Sequence, residues 1–492
     1  MKEYTNTWES VDCHLAAPEW FQDCKFGIWT HWGVFSTPAF GNEWYPRNMY
    51  NKNYNTYNRK PFYGDPCGEY QHHISTYGDP FTDWPYHNFI EGAKNKDGKF
   101  IQFAPILKSN GGNFDPNEWA QLFIDAGAKI AGPVAEHHDG FSMWNSSCNE
   151  WNSVVKGPKL DLVGLFEKAY RSKGLKFLVS THTAFNFTGF YKFVIPQTNL
   201  KLQKFYGQMN HLDEECLWFN KEKELIDLYK PDYMWHDFGM KKISDEIKLK
   251  YLSYYFNKSI EWNKEVVVSY NDGFNDRSSI HQIERGRTID IVEPFWLSAD
   301  TISMSTWSYT NGIKYYSAQV LIHSLIDCVS KNGCLLLNTS PMADGTFPQE
   351  QKDILLIIGN WLKIFGEAIY KTRAWIKYGE GPTQISCGTG MEIPIEGKYN
   401  DIRFTKSKDN KFLYIIAMGW PINNKMVITT LNSNDFDISS LLNITLLGGD
   451  KCIYNQNHTG LVVNLPPHQS NIIGCAIKLS FANNIPLLRC FK

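Results

Sequence analysis

The stretch from Gly132 to Trp144, GPVAEHHDGFSMW, concentrates side chains that can do chemistry. Small and apolar residues lead into Glu136, His137, His138 and Asp139, and Gly140 then lets the chain turn. A buried strand that ends in titratable groups is how α/β barrels build active sites. Neighbouring residues of a strand point to opposite faces, so His137 and His138 share a pocket only if the strand has ended or bulged before them. Otherwise one of the two is a buried, hydrogen-bonded histidine. Other strand-like runs end in the same way: KFGIWTHWG delivers His31, KFLVSTH His182, DYMWHDF Asp237 and EVVVSYND Asn271. Such a set at one mouth suits two reactions. Glycoside hydrolysis needs two carboxyl groups, aromatic faces to stack on a sugar ring, and His, Asn or Trp to hold its hydroxyls. Metal-assisted hydrolysis would use His31, His137, His138, His182 and Asp237 as ligands. The first strand carries no H-x-H and no helix carries H-E-x-x-H, which favours the sugar chemistry.

These strand ends are positioned by an alternation of strands and helices. Asp115-Pro116 is an N-cap followed by a first-turn proline, opening a helix that Gly127 closes. Helical patterns follow in VGLFEKAYRSKG, in EECLWFNKEKELIDLYK up to Pro231, from Ser244 to Asn263 and from Tyr315 to Lys331, and CLLLNTSP reads as a strand. Short strands alternating with longer helices imply a parallel sheet. The length of the repeat, and the lack of G-x-G-x-x-G after the first strand, favour a (β/α)8-like TIM barrel, regular or irregular, over a dinucleotide fold. A long aromatic loop from about Val34 to Pro80 is expected to be functional. After Tyr370 short β-like runs separated by Gly, Asn and Pro predict an antiparallel β-sandwich, so residues 1–370 form the barrel and 371–492 the second domain, most simply a packing partner. A net charge of −2 without like-charge runs gives no reason to expect nucleic acid or membrane as partner. The eleven cysteines contain no C-x-x-C, so neither a zinc site nor a disulfide framework is indicated. The opening MKEYTNTWES lacks the apolar core of a signal peptide.

KFGIWTHWGVFSTPAFGNEWYPRNMY, GPVAEHHDGFSMWNS, PDYMWHDFG, the NDR and ERG of NDGFNDRSSIHQIERG, and SKNGCLLLNTSPMADGTFP with GEAIY resemble, in order, the retaining α-L-fucosidases, which pair a catalytic barrel with a C-terminal β-sandwich. The resemblance implies exo-hydrolysis of terminal α-L-fucose from oligosaccharides or glycoconjugates through a covalent fucosyl-enzyme. It implies no cofactor and no metal, and a secreted, periplasmic or lysosomal setting; oligomeric state is left open. It makes Asp237 the nucleophile and Glu284 the acid/base, with Glu293 and Glu43 as rivals. It makes His31, His137 and His138 ligands of the sugar hydroxyls, Glu43 and Trp44 a pair beside the sugar, His182 a strand-end contact and Arg277 substrate-facing. Related chains commonly carry His-His where this one has His182-Thr183, and Phe or Asn where it has His236. The 6-methyl group of fucose needs an apolar patch, for which Trp235, Phe238 and Trp296 are candidates.

Overall fold

The computed structural model describes residues 3–52, 68–383, 394–467 and 473–489. Eight parallel strands close into a barrel in sequential order: β1 (Phe26–Thr30), β2 (Ile130–Glu136), β3 (Lys176–Thr181), β4 (Tyr233–His236), β5 (Val267–Tyr270), β6 (Ile280–Glu284), β7 (Trp296–Thr301) and β8 (Gly333–Thr339), with β8 pairing back onto β1. Outside lie α1 (Pro116–Asp125), α2 (Leu162–Ser172), α3 (His211–Tyr229), α4 (Asp245–Glu261), α5 (Ala318–Ser330) and α6 (Gln349–Phe365). The sequence signals act as expected. Asp115 accepts the Asn117 N–H at the start of α1, and Lys230, left-handed at φ 44°, ends α3 before Pro231.

No helix separates β5 from β6 or β6 from β7, so the barrel is irregular there. These are the strands that hydrophobic pattern does not reveal. In β6 His281 is exposed, and only Ser269 and Tyr270 of β5 find partners on it; β7 buries Ser298, Asp300 and Thr301. The aromatic loop after β1 carries short helices at Tyr45–Asn48 and Glu69–Thr76, and its residues 53–67 lie outside the described set.

The barrel interior is filled by one apolar cluster that includes Ile130, Leu178, Tyr233, Val267, Leu297 and Leu336, with Phe21 at the strands' N-terminal end and Trp29 and Trp235 under the opposite mouth. Beyond α6 the described residues form strands and short 3-10 turns only. A five-stranded sheet contains β9 (Thr372–Glu380), β10 (Ile402–Ser407), β11 (Phe412–Ala417), β13 (Leu441–Leu446) and β16 (Cys475–Phe481). A three-stranded sheet contains β12 (Lys425–Ile428), β14 (Ile453–Asn457) and β15 (Gly460–Asn464). In β12 Met426 and Ile428 are buried while Lys425 and Val427 are exposed, the one-sided burial of a sheet packed on a core. Among the described residues no helix is long and apolar enough to cross a membrane.

Candidate active site

At the C-terminal mouth a narrow cavity is lined by His31, His137, His138 and His182, by the carboxyl groups of Glu43, Asp237 and Glu284, and by aromatic rings. β2 ends at Glu136, which resolves the paired histidines: both His137 and His138 lie past the strand and both face the pocket. Their acidic neighbours turn away. Glu136 accepts Lys221 Nζ at 2.6 Å and Ser142 Oγ at 2.5 Å, and Asp139 accepts the Tyr86 hydroxyl at 2.7 Å. The imidazole of His31 is oriented by Asn338, whose Oδ1 lies 2.7 Å from Nδ1 while its Nδ2 donates to the Trp307 carbonyl. That arrangement leaves Nε2 of His31 to the pocket. His137 Nδ1 is buried without a protein partner, a polar atom held ready for a ligand. Burial pushes both His31 and His137 well below the usual histidine range, so they face the cavity neutral.

Asp237 follows β4 directly. Its Oδ1 accepts the Phe238 N–H and the Asn271 amide, both at 2.8 Å. Its Oδ2 lies 3.2 Å from His138 Nε2 and 2.8 Å from His182 Nδ1, the latter a close contact rather than an in-line hydrogen bond. Burial alone would raise this carboxyl, but His182 and His138 outweigh it and hold Asp237 well below the usual carboxylate range. Glu284 is the last residue of β6 and is partly exposed to the cavity. Burial, and then the Asp237 charge, push it up to about 8. Asn271 Nδ2 stands 2.8 Å from an Asp237 oxygen and 3.5 Å from a Glu284 oxygen. Two oxygens that share one amide nitrogen at those lengths cannot lie further apart than the two lengths end to end, which falls short of the roughly 6.5–9.5 Å of an inverting pair and allows the ~5–5.5 Å of a retaining one.

Glu43 also reaches the cavity, but its Oε2 is occupied by Thr306 Oγ1 and the Trp307 N–H, each at 3.0 Å, so it fixes the loop that carries Trp307. Burial raises its carboxyl. Trp44 stands in the mouth between Arg47, 5.3 Å from its ring, and Phe238. Trp235 and Phe238 line the cavity, as expected for an apolar patch.

Three expected contacts are not brought there. Trp296 is the first residue of β7, at the opposite end of the barrel, and donates Nε1 to the Lys331 carbonyl at 2.9 Å. Arg277 precedes β6 and Glu293 precedes β7, and both line a surface hollow beside Arg373. The Arg277 side chain is 79% exposed and reaches Asp12. Residues ahead of a parallel strand sit at the mouth opposite to those that follow it. His236 points outward, with Nε2 2.7 Å from the Tyr251 hydroxyl, and so packs rather than touching Asp237; Thr183 donates to the buried Glu222. Sequence reasoning named Asn271 only as a strand end and missed Trp29, Trp307 and Asn338. Trp29 and Asn338 lie in recognisable strands, whereas nothing local marks Trp307.

A closed parallel barrel whose mouth holds two carboxyls among histidines and aromatic rings fits a retaining glycoside hydrolase. Sequence profiles place it more narrowly. Residues 1–367 match the profile described as alpha-L-fucosidase, and residues 397–481 the alpha-L-fucosidase C-terminal domain. Plasma alpha-L-fucosidase of Rattus norvegicus is 28% identical over 494 residues, covering 94% of this chain and 90% of that protein. Tissue alpha-L-fucosidase of Homo sapiens is 27% identical over 479 residues, covering 94% and 88%. The crystal structure of Thermotoga maritima alpha-fucosidase in complex with fucose superposes with a TM-score of 0.73 at 28% identity, covering 97% of this chain and 100% of that one. The chain belongs to the alpha-L-fucosidase family.

Proposed function

We propose that this chain releases terminal α-L-fucose from fucosylated glycans with retention, Asp237 acting as nucleophile and Glu284 as acid/base. The observation that carries the reading is the Asn271 amide shared by an ionised Asp237 and a Glu284 raised to about 8. An Asp237 oxygen attacks the anomeric carbon while Glu284 passes its proton to the departing glycosidic oxygen. The fucosyl ester on Asp237 is then opened by a water whose proton goes to Glu284, which frees fucose and restores both groups. His31, His137 and His138 hold ring hydroxyls, His182 stands against Asp237 at its strand end, Glu43 and Trp44 frame the sugar, and Trp235 with Phe238 receives the methyl group. In support, Asn338 engages only Nδ1 of His31, and His137 Nδ1 has no protein partner.

The test is Asp237→Ala assayed on an aryl α-L-fucoside. Turnover should vanish with the fold intact, and azide or formate, entering the space of the lost carboxylate, should partly restore it. Near-normal turnover without added anion would remove Asp237 from this role.

A further inference from the structure

Glu284 ends a strand whose crossover to β7 has no helix of its own, so something else must hold that segment. Residues 285–292 are fastened by buried charges. Arg287 donates to Asp300 Oδ2 at 2.5 Å on β7 and to Ser324 Oγ at 3.1 Å on α5. The carbonyl of Thr288 accepts Lys331 Nζ at 2.7 Å, and the same Nζ donates to Asp327 Oδ2 at 2.8 Å. The other oxygen of Asp327 accepts Nε of Arg403 at 2.7 Å. Asp327 is on α5 and Lys331 caps its end, but Arg403 belongs to β10 of the C-terminal domain, where its guanidinium lies 5.3 Å from the Tyr378 ring. The side chains of Asp327, Lys331 and Arg403 are at most 2% exposed.

We propose that Arg403 is a positioning residue for the reaction: through Asp327 and Lys331 the C-terminal domain fixes the Thr288 carbonyl, and with it the segment that sets Glu284 against Asp237. The inference rests on Glu284 as acid/base. Without Arg403 one buried oxygen of Asp327 loses its donor, and the carboxylate competes for the ammonium hydrogens that Lys331 gives to Thr288. The slack enters four residues from Glu284, and proton transfer is sensitive to displacements below an ångström.

Arg403→Met should lower kcat roughly tenfold on a fucosyl disaccharide, whose leaving group needs a proton, and less than about threefold on an activated aryl fucoside, which does not. Affinity for free fucose should be unchanged, and Arg403→Lys should restore most of the disaccharide rate. In a Glu284→Ala background the same substitution should change neither rate. If Arg403→Met does not fold, Arg403→Met with Asp327→Asn, which removes the opposite charges together, is read by the same comparison. Equal loss on both substrates, or a loss that persists in the Glu284→Ala background, would overturn the proposal. Glu284→Ala showing no leaving-group dependence would overturn the acid/base assignment and this inference with it. A split with Glu284→Ala but none with Arg403→Met overturns the tether alone.

Discussion

Asn271→Ala separates the two carboxyls' shared donor from the rest of the site. Asp237 would keep the Phe238 N–H and its contacts with His138 and His182, so it stays ionised. It would lose the 2.8 Å amide that orients Oδ1, and Glu284 would lose its 3.5 Å neighbour. A hydrogen bond to a charged group is worth about 1.5–3 kcal/mol, and each 1.36 kcal/mol is tenfold in rate, so kcat on an aryl fucoside should fall about 10- to 150-fold. The sharper consequence concerns pH. Asn271 favours the ionised form of Glu284, and Asp237 disfavours it. Removing the amide leaves the repulsion, so the alkaline limb of kcat/KM should move upward by roughly half to one pH unit, the smaller part of the bond energy being assigned to the longer contact. The assay is a pH series of kcat/KM for both proteins. A limb that moves downward, or stays fixed while kcat falls, would refute the shared-donor account.

In the unaltered enzyme Glu284 must be protonated to donate and loses its proton as pH rises through about 8. Above that value kcat/KM for a fucosyl disaccharide should therefore fall about tenfold per pH unit, and Glu284→Gln should abolish the limb together with most of the rate. Burial lowers His14 to about 4 and His73 and His236 to about 3, so all three are neutral in the fold and near 6.5 in the unfolded chain. Below about 6.5 the unfolded chain binds protons that the fold refuses, and stability should drop by roughly 1.4 kcal/mol per pH unit per histidine until each folded value is reached. Buried carboxyls such as Glu222 and Glu284, raised to about 8, act with the opposite sign, so the check is by difference: His14→Gln should lose thermal midpoint less steeply than the unaltered chain between about pH 6.5 and about pH 4.5, and equal slopes would contradict this.

The parts of the fold legible in the sequence are those where one element buries one face. β1, β2, β3, β4, β5 and β8 read as apolar runs ending in polar residues, and helix caps such as Asp115 announce themselves. β6 and β7 do not: β6 exposes His281, and β7 buries Ser298 and Asp300, which accept from Arg287 outside the strand. A strand-length window does not contain that compensation. The same distinction sorts the site. His31, His182, Asp237 and Asn271 follow their strands and are placed correctly by strand direction alone. Trp296, Arg277 and Glu293 stand at or before strand starts, and the same rule puts them at the far mouth once β6 and β7 are known. Glu284 is marked only by the family resemblance, since its strand has no pattern of its own. Trp307 depends on Glu43, more than 250 residues away in sequence, holding its backbone N–H.

The opposite tuning of two carboxyls in one cavity follows from how their donors are distributed. Burial raises both. Asp237 is surrounded by two imidazoles, a backbone N–H and an amide, while Glu284 shares that amide at longer range and has Arg285 as its cationic neighbour. The charge thus settles on Asp237, and once there it is the chief force after burial that keeps the proton on Glu284. This also accounts for the reversal that the second half-reaction demands. When Asp237 becomes an ester its charge disappears, the repulsion felt by Glu284 disappears with it, and the group that had to be an acid loses its main electrostatic reason to remain one. Arg285 and Asn271, which both favour the carboxylate, then act unopposed except by burial, and Glu284 can take a proton from water. On the proposed assignment, formation of the covalent bond therefore removes the chief push on Glu284 after burial and favours its carboxylate form in the second half-reaction.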